Sequence, residues 1–180
     1  FMYSVIGSSA RAKDYEGALQ WLSAAGVVIK CNKVPEGRYP IKLYEDALSF
    51  KMYCSDVGLL SMKMGLPADN LFHDLRVSDK MRGILAENYV AQELWAKGLI
   101  PYYWASDNQA EVDFMVHNGT DVLPIEVKSD TRISGKSFAV YNEKYHPNLR
   151  IRFSLRNIHH DGNLLNLPIF MADWLYAYLK

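Results

Sequence analysis

The sequence has little of what would tie it to the secreted, membrane or zinc-thiolate classes. It holds two cysteines, Cys31 and Cys54, with no C-x-x-C spacing, so neither a disulfide framework nor a zinc site is expected. No apolar run approaches the ~20 residues of a membrane span, and no signal peptide is visible. Charge of one sign is not in excess either. Twenty Lys and Arg balance 20 Asp and Glu, which excludes a uniformly basic surface for coating nucleic acid but leaves local patches open. Internal repeats and low-complexity segments are also absent. These absences fit a reducing, cytoplasmic setting without a membrane partner, and they leave an oligomer open. In that setting the formal sequon Asn118-Gly119-Thr120 reads as a tight turn.

What is present is enough apolar residue to build a core. At 180 residues and 49% hydrophobic, the chain can hold one good-sized domain, or a small domain followed by a medium one. It begins at Phe1 inside a short apolar phrase ending at Ser9, which reads as trimmed from something longer. From Asp14 the residues Tyr15, Ala18, Leu19 and Leu22 recur at helical spacing, and Gly26 supplies a stop. Val27-Val28-Ile29 reads as a strand, Pro35 to Pro40 as a loop, and Phe50 to Tyr53 as a returning strand. Helix, strand, loop and strand form a small winged-helix-like module with its linking helix, residues 1–66. Its loop region offers Lys30, Lys33, Arg38 and Lys42 as candidate DNA contacts. Seven basic residues against five acidic ones up to Cys54 give only a slight bias.

Val57 to Met64 reads as a short helix, and Pro67 to Asp79 as a polar connector that opens a second unit, residues 67–180. Lys80 to Lys97 is the longest expected helix, with an apolar stripe of Ile84, Ala91, Leu94 and Trp95. Glu87 sits on that stripe, and a carboxylate aimed at a core needs a partner. Ile100 to Ala105 reads as a strand, Phe138 to Tyr145 as a helix, Arg150 to Leu155 as a strand and Ala172 to Leu179 as a closing helix. Ser134-Gly135-Lys136-Ser137 looks like the end of a phosphate-binding loop, but the pattern needs glycine where Asp130 stands. His159-His160 reads as a surface turn before Gly162. The expected class is α/β, a mixed sheet flanked by helices.

The most informative stretch is Ala110 to Asp130. Its two apolar arms are expected to pair as a hairpin, with Val112, Phe114 and Val116 on one face and Leu123, Ile125 and Val127 matched to them. Asp113, Glu126 and Lys128 then share the other face. A turn at Gly119-Thr120 sets Asp113 directly opposite Glu126, roughly 5 Å away; one at Asn118-Gly119 makes them diagonal neighbours roughly 7–8 Å apart. One buried charge left unpaired would cost roughly 3–5 kcal/mol. The cluster is therefore either a complete ion-pair network or a metal site, and two or three acids against one lysine leave a network short of positive charge.

Asp113, Glu126 and Lys128 in the form D-x12-E-x-K, with Glu87 on the preceding helix, resemble the active-site pattern of the restriction-endonuclease-like PD-(D/E)xK nucleases. The phrases DVGLL, GILAENYVAQEL, YYWAS, AEVDFMV, PIEVKS and FAVYNEKYHP, in that order, resemble the C-terminal DUF4143-type domain of AAA+-like bacterial and archaeal ATPases. The resemblance implies a restriction-endonuclease-like sheet and an ATPase module outside this chain, so that ATP enters only through that module. It also implies DNA as partner and Mg2+ or Mn2+ as cofactor. Asp113, Glu126 and Glu87 would hold the metal, and Lys128 would orient the attacking water or stabilise charge. Two functions follow as expectations: metal-dependent phosphodiester cleavage, or a non-catalytic DNA- or protein-binding regulatory module.

Overall fold

The computed structural model describes residues 12–66, 78–106, 110–130 and 135–179. The apolar lead-in, the connector after Leu66 and Ser134 of the loop-like phrase lie outside the described residues. One mixed sheet of eight strands organises the chain, in the order β2-β1-β3-β4-β5-β6-β8-β7. The strands are β1 (Val28–Val34), β2 (Asp46–Cys54), β3 (Tyr102–Ala105), β4 (Glu111–Asn118), β5 (Asp121–Val127), β6 (Arg150–Ser154), β7 (His159–Asp161) and β8 (Leu164–Pro168). The helices are α1 (Ala12–Ala24), α2 (Val57–Lys63), α3 (Asp79–Ala96), α4 (Lys136–Tyr145) and the single turn α5 (Leu175–Tyr178). The α/β class with a mixed sheet and flanking helices is as expected.

The ends of the helices follow from local chemistry. Asp56 caps α2 by accepting the amide of Leu59 at 2.7 Å, and Ser78 caps α3 by accepting that of Met81 at 3.2 Å. Apolar side chains then divide between two layers. On one side Val90, Ala91 and Leu94 of α3 pack on Phe114, Val116, Leu123, Ile125 and Ile151. On the other, Phe138 and Tyr141 of α4 pack on Trp104, Val112 and Met115. Alternation along each strand feeds both layers, which is why the central strands carry few polar residues.

Several expectations need adjustment. On α3 the expected stripe is only half buried: Ala91 and Leu94 are in the core with Val90, whereas Ile84 and Trp95 are exposed. The C-terminal region is less helical than its spacing suggests. Leu164–Pro168 is a strand, Ile169–Trp174 a 3-10 helix, and only Leu175–Tyr178 is α-helical. His159 and His160 are exposed, as expected, but belong to a hairpin that turns at Gly162. β1 and β2 are the edge of the one sheet, joined to it by the parallel pairing of β1 with β3.

The loop after β1 is fixed from the α4 side. Tyr141 donates its hydroxyl to the Gly37 carbonyl at 3.1 Å, and the Trp104 indole donates to that of Pro35 at 3.1 Å. A Cβ on Gly37 would lie 2.5 Å from a ring carbon of the fully buried Tyr141. Gly37→Ala is therefore expected to destabilise the fold by about 1–3 kcal/mol. Chemical denaturation checks it, and an unchanged midpoint would contradict this packing.

Candidate functional site

The register of the β4–β5 hairpin decides where the charged residues meet. Phe114 pairs with Ile125 and Asn118 with Asp121, so the turn is Gly119-Thr120, with Gly119 at φ 59. Continued by one step, that register sets Asp113 across from Glu126. Yet β4 also carries a bulge against β3: Tyr102 pairs with Met115 and Trp104 with Val112, so Asp113 and Phe114 together oppose Tyr103. Asp113 accordingly looks the same way as Phe114, toward α3. Val112 falls on the α4 side and leaves the apolar face expected for it.

The four sequence-derived residues thus gather at one end of β4 and β5 but in two groups. Glu126 is buried and turned to the α4 side. Its Oε2 accepts Arg152 Nε at 2.8 Å and its Oε1 lies 3.2 Å from Lys128 Nζ. Arg152 in turn rests on the Phe138 ring, 5.8 Å from its centroid. Glu87 and Asp113 belong to the α3 side. Glu87 Oε1 accepts Lys51 Nζ at 3.0 Å and the hydroxyl of Tyr53. Lys51 also reaches Glu111 at 2.6 Å, with its ammonium over the Tyr103 ring. Asp113 Oδ2 accepts the Val127 amide at 2.7 Å. Lys128 links the groups, because its charge acts on Asp113 while its ammonium touches Glu126.

Sequence reasoning did not select Lys51, Tyr53, Glu111 or Arg152. The signal for Lys51 was available: a lysine two residues before Tyr53 in an apolar strand is as unusual as Glu87 on its stripe. What the sequence does not carry is the distance between them, since 36 residues separate the pair. Arg152 alternates with Ile151 and Phe153 and lies beside Glu126 in the parallel β5–β6 register.

Titration follows from these contacts. Burial first and the Glu87 charge second raise the Asp113 carboxyl to about 7, against the Val127 amide and the charges of Lys51 and Lys128. Burial alone would lower Lys51, but the carboxylates of Glu87 and Glu111 outweigh it and hold the ammonium above its ordinary value. Burial and then Glu87 push the Tyr53 hydroxyl well up.

Among the described residues, no three His, Cys, Asp or Glu side chains come together as a group able to hold a metal. Glu126 is committed to two cations, and it faces away from Glu87 and Asp113. As arranged, Asp113, Glu126 and Glu87 do not fit Mg2+ or Mn2+, which need oxygens converging on one point. The four basic residues of the first segment have separate surroundings. Lys30 lies over Phe50 at 4.5 Å, Lys33 pairs in register with Asp46, Arg38 is 3.8 Å from Glu36, and Lys42 is exposed on the 3-10 turn Ile41–Tyr44.

Residues 82–170 match the family described as Domain of unknown function (DUF4143). This segment carries the similarity to the DUF4143 domain. It contains α3 from its first turn, β3 to β8 and all of Glu87, Asp113, Glu126 and Lys128. Residues 1–70 match the family described as Domain of unknown function (DUF8612), which contributes Lys51 and Tyr53. The charged site is therefore shared between the DUF4143-like segment and the one before it. Neither a curated protein nor a solved structure matches the chain.

The Asp113 titration gives a test with a definite sign. An unfolded aspartate titrates near 3.8 and the folded Asp113 near 7. Below the first value both states hold the proton. Between the two only the folded state does, so stability falls as pH rises to about 7 and then levels. At about 1.4 kcal/mol per unit, with allowance for partial solvent access, the loss is expected to be ~2–3 kcal/mol. Asp113→Asn keeps an oxygen for the Val127 amide and should flatten that slope. An equal slope in the two proteins would contradict the assignment.

Proposed function

We propose that the chain is a non-catalytic, nuclease-like recognition module that binds a protein partner and serves an ATPase domain of the same protein. The observation that carries this reading is the commitment of the carboxylates: Glu126 to Arg152 and Lys128, and Glu87 to Lys51 and Tyr53. A metal-dependent hydrolytic site presents its acids to the ion, whereas Glu87 and Glu126 are paired with cations of the protein itself. The positive charge that the motif lacks in sequence is supplied from β2 and β6.

The nuclease-like part of the proposal is supported by the order α3, β3, β4, β5, α4, β6, with D-x12-E-x-K on β4 and β5. The winged-helix-like reading of the first segment is supported only by its helix–strand–strand order, and the ATPase by the phrases quoted above. A protein rather than DNA is favoured by Lys30, Lys33 and Arg38 each lying beside a neighbour of its own, Phe50, Asp46 and Glu36. It is also favoured by large exposed apolar side chains such as Trp21 and Leu48, of the kind interfaces cover. No described helix is long and apolar enough to cross a membrane, and both cysteines are free, which accords with a cytoplasmic setting.

A second reading, Mg2+-dependent cleavage of DNA, has one observation in its favour. Glu87 and Asp113 stand close enough on the α3 side for each charge to oppose the other. Calorimetric titration with Mg2+ and Mn2+ separates the two. The expected result is no saturable heat that Asp113→Ala removes, and no nicking of plasmid DNA above that of Asp113→Ala and Lys128→Ala. Metal binding or nicking lost in both variants would overturn the non-catalytic reading.

A further inference from the structure

A cavity of about 520 Å3 opens between β2, α2 and α3, within the size range of ligand sites. Val28, Met52, Leu60 and Ile84 line it with apolar surface. Its polar end is formed by Lys51, Tyr53 and Glu87. Asn88 also lines it, but its amide is occupied by the backbone of Cys54, at 2.8 and 3.0 Å. The chemistry presented to a ligand therefore falls on Glu87. Among the described residues, both hydrogen bonds that Glu87 accepts end on Oε1, which leaves Oε2 as an acceptor at the cavity.

The surrounding charge is unbalanced. At the cavity's polar end Glu87 and Glu111 share the Lys51 ammonium, two carboxylates against one cation in that ion-pair group among the described residues. An apolar channel that ends at a carboxylate in a negative surrounding is complementary to a long side chain with an apolar stem and a cationic head. We propose that this cavity receives an arginine or lysine side chain of a partner protein, its head at Glu87 and its stem along Met52, Leu60 and Ile84. The proposal rests on the protein-binding reading above and names the partner's chemistry. A phosphate at the polar end would face the Glu87 carboxylate. A bare dication would leave the apolar walls uncovered.

The test uses amide NMR on the whole chain with the tripeptide acetyl-Leu-Arg-Leu-amide at millimolar concentration, and the same peptide with neutral citrulline for arginine. Saturable shifts at Leu60, Ile84 and Asn88 are expected with the arginine peptide. Binding should be at least ~tenfold weaker with citrulline and in Glu87→Gln. Ile84→Trp, which fills the mouth and leaves every charge in place, should abolish the shifts. Equal binding of the two peptides, shifts centred elsewhere, or none at all would overturn the proposal. So would displacement of the peptide by Mg2+ with loss of that effect in Asp113→Ala, since the cavity would then serve a metal site. Nicking of plasmid DNA by the same sample with the peptide shifts intact would remove the protein-binding reading and leave the cavity. Neither nicking nor shifts would do the reverse.

Discussion

The Lys51 ammonium is the contact on which the charged end of the sheet depends. It starts on the edge strand β2, reaches over β1 and β3, and sits between Glu87 on α3 and Glu111 on β4. Without it the partly buried Glu87 carboxylate would face that of the exposed Glu111, with Asp113 close behind. Removing one partner of a buried ion pair costs about 3–5 kcal/mol, and less where water reaches the pair, as it does for the 26% of the Lys51 side chain that is exposed. The same contact explains why the first segment cannot be understood apart from the second. The residue that neutralises Glu87 lies outside the DUF4143-like segment.

A single extra residue in β4 sets the other half of the arrangement. Had β4 alternated without interruption, Asp113 would join Glu126 and Lys128 on the α4 side, where three charges would meet Arg152. The bulge opposite Tyr103 instead divides the acids between the two layers, and each layer supplies its own cation. The sheet thereby keeps its carboxylates apart. Whether a sheet of this order holds a metal or an ion-pair network turns on one strand irregularity and two cations.

Much of the framework was legible from periodicity. The long helix with Glu87 turned inward, the hairpin about Gly119, and the alternating strand of Ile151 and Phe153 all follow from apolar spacing and turn residues. The register was narrowed to two possibilities, and the pairing of Phe114 with Ile125 selects one. The bulge was not legible, because it arises from how β4 meets β3 and no residue of Glu111 to Val116 announces it. The β7–β8 hairpin was missed for another reason. Leu164 to Pro168 is short, ends in proline and interrupts its apolar run with Asn166, which is buried and donates to the carbonyl of Asn157 at 3.0 Å. Lys51 and Arg152 needed distances across the sheet, and spacing along the chain holds none.

The central claim is that these acids are held by the protein's own cations and are not gathered for an ion. The most direct measurement is the unfolding free energy of Glu87→Gln against the parent chain, in a chelator and again with Mg2+. Gln cannot form the ion pair with Lys51, so the account predicts a variant less stable by ~1–3 kcal/mol in both solutions. A variant more stable than its parent in chelator, with the order reversed by Mg2+, is what acids assembled for a metal would show, and it would contradict the account.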